Sequence, residues 1–193
     1  MTGAPGPAGP PGPSVLVAGV GNVFRRDDGF GVETVERLAL RGPSVLPDGV
    51  ELMDAGIRGL HLAYRLLDGC ATLVLVDAVH RDGPPGTLYT LDAGQLPAAD
   101  GTPAAAGDEA EERARPVAMD GHSMDPAAVL RQARGLRAAV GGSLPDRVWV
   151  VGCEPGDVGD GLGLTPPVAR AVEPAVDLVL RLTHDITRTR TRS

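Results

Sequence analysis

Five short apolar runs, separated by stretches with helical spacing, organise the chain. Residues 15–20 (VLVAGV) and 72–76 (TLVLV) are nearly unbroken apolar sequence, the pattern of strands buried on both faces of a parallel sheet. Residues 50–53 and 147–152 (RVWVVG) read as two further strands. After Gly21-Asn22, the residues Phe30, Val35 and Leu38 fall on one helical face, and residues 59–67 place Leu60, Ala63 and Leu67 on one side of a second helix. Asp125-Pro126 supplies an N-cap and a first-turn proline to a third helix, whose apolar stripe is Val129, Leu130, Ala133, Leu136 and Val140. Thr165-Pro166 opens the last helix, striped by Val168, Val172, Val176 and Val179, and Pro174 is expected to kink or divide it.

The link lengths fix the topology. Only residues 80–86 separate the 72–76 strand from the next one at 87–91. A parallel crossover needs about a dozen residues or more, so this fourth strand should run antiparallel, near an edge. The order β-α-β-α-β-β-α-β-α predicts an α/β fold: a three-layer, doubly wound, five-stranded, mostly parallel sheet with one antiparallel strand and helices on both faces. Residues 14–184 are read as a single domain, preceded by a disordered Pro/Gly tail at 1–13. A basic tail follows at 185–193, containing Arg188, Arg190 and Arg192. Within the domain, the Ala-, Pro-, Gly- and acid-rich stretch at about 97–118 has no hydrophobic period and reads as a flexible insertion.

Composition narrows the function. A formal charge of −7 and a pI near 5.0 argue against a nucleic-acid partner, which needs concentrated basic surface. Two cysteines without a CxxC pair suggest a reducing compartment. The start of the chain has neither a cationic n-region nor an apolar run, so no membrane partner is expected and the cytoplasm is the expected location.

In doubly wound sheets, ligands gather beyond the carboxyl ends of the parallel strands. Three acids fall there: Asp28 after the first strand, Asp54 after the second and Asp77 closing the third. Asp27 or Asp28 could equally cap the following helix, and Asp54 could serve an Asx turn before Gly56. Asp77 is harder to explain structurally, because an acid ending a buried apolar strand needs a partner or a cation. Among the histidines, His61 and His184 read as solvated, His80 could approach the same edge, and His122 lies in a polar loop entering a helix. Two carboxylates and an imidazole make a mixed N/O site suited to borderline divalent metals such as nickel or zinc. Gly19-Val20-Gly21 after a strand also suggests a dinucleotide-binding turn, with Asp54 as the ribose acid, but Phe24 stands where its third glycine belongs. No GxSxG is present, and neither Cys70 nor Cys153 has an activating context.

Several short motifs, in order, resemble a known family. Residues 17–22 (VAGVGN) with 26–32 (RDDGFGV), Asp54-Ala55-Gly56, residues 76–79 (VDAV), 85–89 (PGTLY), Gly121-His122-Ser123, residues 152–155 (GCEP) and 161–165 (GLGLT) are similar to the hydrogenase maturation endopeptidases. The resemblance spans about residues 15–182. It implies a phosphorylase/hydrolase-like fold and a metal-binding, catalytic trio that here is Asp28, Asp77 and His122, with Asp27 and Asp54 as further candidates. The first acid is often glutamate in that family; aspartate here is one methylene shorter. The implied activity is endoproteolytic removal of the C-terminal peptide from a nickel-loaded hydrogenase large-subunit precursor. The nickel is expected to be carried by the substrate, with no cofactor held tightly by the free enzyme. The chemistry implied is metal-assisted or aspartic-type. Two other readings compete: a non-catalytic nickel-binding maturation chaperone, and a nucleotide-binding α/β enzyme.

Overall fold

A computed structural model describes residues 14–93 and 126–191. The expected tail at 1–13, the expected insertion at 97–118, and His122 lie outside the described residues. The elements are β1 (Val15–Val20), α1 (Phe30–Leu40), β2 (Val50–Gly56), α2 (Gly59–Leu67), β3 (Thr72–Ala78), β4 (Leu88–Asp92), α3 (Pro126–Val140), β5 (Arg147–Cys153) and α4 (Pro166–Thr191). They form a five-stranded sheet in the order β2-β1-β3-β5-β4. β1, β2, β3 and β5 are parallel, and β4 lies antiparallel to β5 at the edge, as the short link before it requires.

Strand side chains alternate between two cores. Leu16, Ala18, Leu73 and Leu75 pack with Leu62 and Leu66 of α2 and with Val129 and Ala133 of α3. Val15, Val17, Val74 and Val76 pack on the other face with Phe30 and Leu38 of α1 and with Val172, Val176 and Val179 of α4. The order of the strands reverses between β1 and β3, whose parallel register sets Gly19 beside Val76. The first turn of α1 is wedged at this reversal. A Cβ on Gly31 would overlap the carbonyl oxygens of both Val20 and Val76, and one on Gly19 would overlap Gly31 O. The glycines of the first strand therefore serve close packing of α1 on the sheet, which removes the basis for reading them as a pyrophosphate cradle.

Three side-chain expectations change. Leu60 was expected on the buried side of α2, but the buried stripe is Leu62, Ala63, Leu66 and Leu67, and Leu60 is exposed. Both stripes fit a 3.6-residue period; which one faces the sheet depends on the approach angle from β2, which runs three residues further than expected, to Gly56. Val140, at the last turn of α3, is also exposed rather than part of the stripe. Finally, α4 passes through Pro174 without a break. Pro174 and Arg170, whose carbonyl would have bonded to it, both face solvent, so the freed oxygen can be hydrated while Ala171, Val172, Ala175 and Val176 hold the buried stripe. The helix continues to Thr191, so Arg188 and Arg190 are exposed positions of its last turn rather than of a separate tail.

Candidate active site

The loop leaving β1 is short and built from polar backbone bonds. Asn22 begins a turn: its side-chain oxygen accepts from Phe24 N–H at 3.0 Å and its carbonyl from Arg25 N–H at 2.9 Å. Arg26 then takes a left-handed conformation (φ 44), unusual for a residue with a side chain. Its N–H donates to Gly161 O at 3.0 Å and its guanidinium lies 3.3 Å from Asp157, so the loop after β5 holds the strained residue in place. The chain next turns through Asp27 and Asp28, both buried, and enters α1.

The two adjacent aspartates have opposite environments. Asp27 accepts hydrogen bonds from Thr165 N–H (2.6 Å), Thr165 Oγ1 (2.8 Å), Gly156 N–H (2.8 Å) and Asp157 N–H (2.9 Å). Burial alone would raise its pKa, but these four donors outweigh burial and hold it below the ordinary aspartate value. It does act as a cap, though not of α1: Thr165 is the residue before α4, so Asp27 closes the N-terminus of a helix 138 residues away in sequence. Asp28 accepts from Asn22 N–H at 2.9 Å. Burial dominates there and raises its pKa, against the opposing pull of that bond and the Arg25 charge.

Asp77 is buried near the end of β3, with Oδ1 accepting from Ala78 N–H at 2.8 Å. Asp28, in the short turn that leads from β1 into α1, and Asp77, near the end of β3, thus follow the two neighbouring strands at the reversal point. Asp54 lies at the end of β2, exposed, in register with Gly19. His80 is exposed and its Nδ1 lies 3.6 Å from Glu154 Oε1; His61 and His184 are exposed as expected. His122 is outside the described residues. Both cysteines are buried and free; burial pushes the Cys70 thiol up to about 11 and the Cys153 thiol up to about 12, so neither is a thiolate nucleophile at neutral pH.

Comparison with known proteins identifies the family and the fold. The model of the hydrogenase maturation protease family (HycI) matches residues 32–182. The chain is 33% identical over 168 residues to the hydrogenase expression/formation protein HupD of Rhodobacter capsulatus, covering 86% of this chain and 70% of that one. It is 31% identical over 180 residues to HupD of Rhizobium leguminosarum bv. viciae, covering 92% and 78% respectively. Among solved structures, the hydrogenase maturating endopeptidase HybD from E. coli aligns with a TM-score of 0.62 at 29% identity, over 89% of this chain and 92% of that one. The chain belongs to the hydrogenase maturation protease family. It is a protease that processes the C-terminus of the nickel-iron hydrogenase large subunit, which sets aside the chaperone reading.

Within this protease, one buried acid was missed by sequence reasoning. Glu154, just past β5, accepts from Arg81 N–H at 2.8 Å and from Tyr89 OH at 2.9 Å, and so ties the β3–β4 link and β4 to the end of β5. The argument that singled out Asp77, an acid at the end of a buried apolar strand, applies equally to Glu154 and could have found it.

Proposed function

We propose that Asp28 and Asp77, with His122, engage a nickel ion carried by the large-subunit precursor and so bring its C-terminal peptide bond into position for hydrolysis. The observation behind this reading is that Asp28, in the turn between β1 and α1, and Asp77, near the end of β3, are buried acids that follow adjacent parallel strands at the reversal of strand order, where a doubly wound sheet binds its ligand. Two carboxylates and an imidazole suit a borderline divalent cation and leave positions for the precursor's own ligands. The metal is then part of the substrate, and its binding energy orients the scissile bond. Water adds to the carbonyl carbon, the C–N bond breaks, and the products are a new C-terminal carboxylate and a released peptide amine.

Two forms of that chemistry remain in competition: a carbonyl polarised by the metal, and an aspartic-type path in which a carboxylate takes the proton from water. For the second path Asp28 is the better base. Its pKa is raised, whereas Asp27 has a lowered pKa and both oxygens engaged by donors. The two cysteines, free and buried, agree with a reducing compartment, and the cytoplasm is the proposed place of action. Among the described residues no helix is long and apolar enough to cross a membrane.

The test is a processing assay read by product mass, comparing nickel-loaded and metal-free precursor. Cleavage should require the loaded form, and Asp77→Asn and His122→Ala should each lower it by about a hundredfold or more through lost positioning. Efficient cleavage of metal-free precursor by the wild type would sink the nickel-recognition mechanism while leaving the protease intact.

A further inference from the structure

Among the described residues, several of the large hydrophobic side chains left in water come from the loops after β1, β2 and β5. Phe24 is 68% exposed and Ile57 64% exposed, and both line a recess of about 160 Å³ between the exits of β1 and β2. Leu162, 75% exposed, belongs to the neighbouring loop after β5: Gly161 N–H donates to Phe24 O at 2.9 Å, and residues 25 and 161 pair as a parallel bridge. Leu60 and Tyr64, one turn apart and both about half exposed, lie on α2, the helix that follows Ile57 in the chain. None of the five packs into either core.

Single exposed apolar residues are ordinary, but a group contributed by three separate strand exits at a catalytic edge marks an interaction surface. The recess adjoins the catalytic acid directly. Asn22, whose N–H donates to Asp28, is one of its walls, so a peptide with its scissile bond at Asp28 passes the mouth of the recess. Asp54 and Arg58 both line it, one of each sign, and give it no net preference for a charged side chain. We infer that the recess is a substrate subsite that takes an aliphatic side chain of the precursor close to the scissile bond, with Leu162, Leu60 and Tyr64 extending the apolar contact along the adjoining chain. This rests on the processing reading and adds a determinant of which precursor is accepted.

The experiment is steady-state processing of full-length, nickel-loaded precursor by the full chain. Phe24→Ser and Ile57→Ser should melt like the wild type, since both side chains are outside the cores. Each should lower kcat/KM by about tenfold or more, chiefly through KM, as expected for lost substrate binding. Phe24→Leu should restore most of the loss. Leu40→Ser removes an equally exposed leucine (81%) at the far end of α1 and should change nothing. On a precursor whose aliphatic residues flanking the cleavage point are replaced by serine, Phe24→Ser should cost little more, because the partner is already gone. Wild-type kcat/KM in both Phe24→Ser and Ile57→Ser, or a loss indifferent to the precursor's flanking residues, would overturn the subsite alone. A wild-type enzyme unable to cleave the loaded precursor would instead remove the processing reading, and the subsite with it.

Discussion

Two groups of acids in this protease have opposite surroundings. On the outer surface, Glu173 and Asp177 of α4 pair with Arg37 and Arg41 of α1, at 3.0 Å for Arg37–Glu173 and 2.7 Å for Arg41–Asp177. In the loop after β1, Asp27 has four donors, none of them a charged group, and it is fully buried. The surface group looks stronger as a list of ion pairs. Solvent screening and side-chain entropy make such pairs weak, whereas a buried carboxylate holding otherwise unsatisfied N–H groups is costly to remove. Placement decides the value of a charge here, and its formal partner matters less.

The sharpest way to break that comparison is Asp27→Ala. It leaves the N–H groups of Gly156, Asp157 and Thr165 without their acceptor and should destabilise folding by about 3–5 kcal/mol, measured by denaturant unfolding. The pH dependence has a definite sign. Because the folded-state pKa of Asp27 is lowered, its contribution is complete above its unfolded value of about 3.9 and is lost as pH falls through the folded value. The variant should therefore show a flatter acid limb than the wild type. A small loss with an unchanged acid limb would mean that the four bonds are incidental.

Asp28→Asn separates the neighbouring acid by its function. Processing should fall by about a hundredfold or more, while the melting temperature at pH 7 should rise. Burial raises the pKa of Asp28, so its ionised form costs stability at neutral pH, and that cost disappears as pH falls below the unfolded value. An active variant, or an inactive one that melts lower at neutral pH, would contradict this division of roles. At the small end, Glu173→Gln should move the melting temperature by about a degree or less in physiological salt. A larger drop would show that the α1–α4 pairs form a cooperative network.

These contrasts also explain what the sequence disclosed. Strand positions, the antiparallel β4 and the two-faced sheet were legible because buried strands are continuous apolar runs and a seven-residue link limits topology. Asp28 was legible as an acid in the loop after the first strand, and Asp77 as one closing the third. The partners of Asp27 were not, because capping rules read nearby residues and Thr165 is distant in the chain. Leu60 misled because helical period cannot say which edge of a broad apolar stripe faces the sheet, and only Ala63 and Leu67 of the expected three are buried. Glu154 was open to the same strand-end argument, but its donors, Arg81 and Tyr89, were not legible, because they meet it only through the pairing of β4 with β5.

The tie between Asp27 and Thr165 also gives the enzyme a birth order. During synthesis the first three strands can emerge and pair while β5 and the start of α4 are still to be made. Until residue 165 has left the ribosome, the loop carrying Asp28 lacks the clamp that fixes its neighbour, and the strained turn at Arg26 lacks the carbonyl of Gly161. A nascent or prematurely ended chain would thus carry Asp28 without the bonds that fix its loop, and that loop is complete only once the last helix has begun.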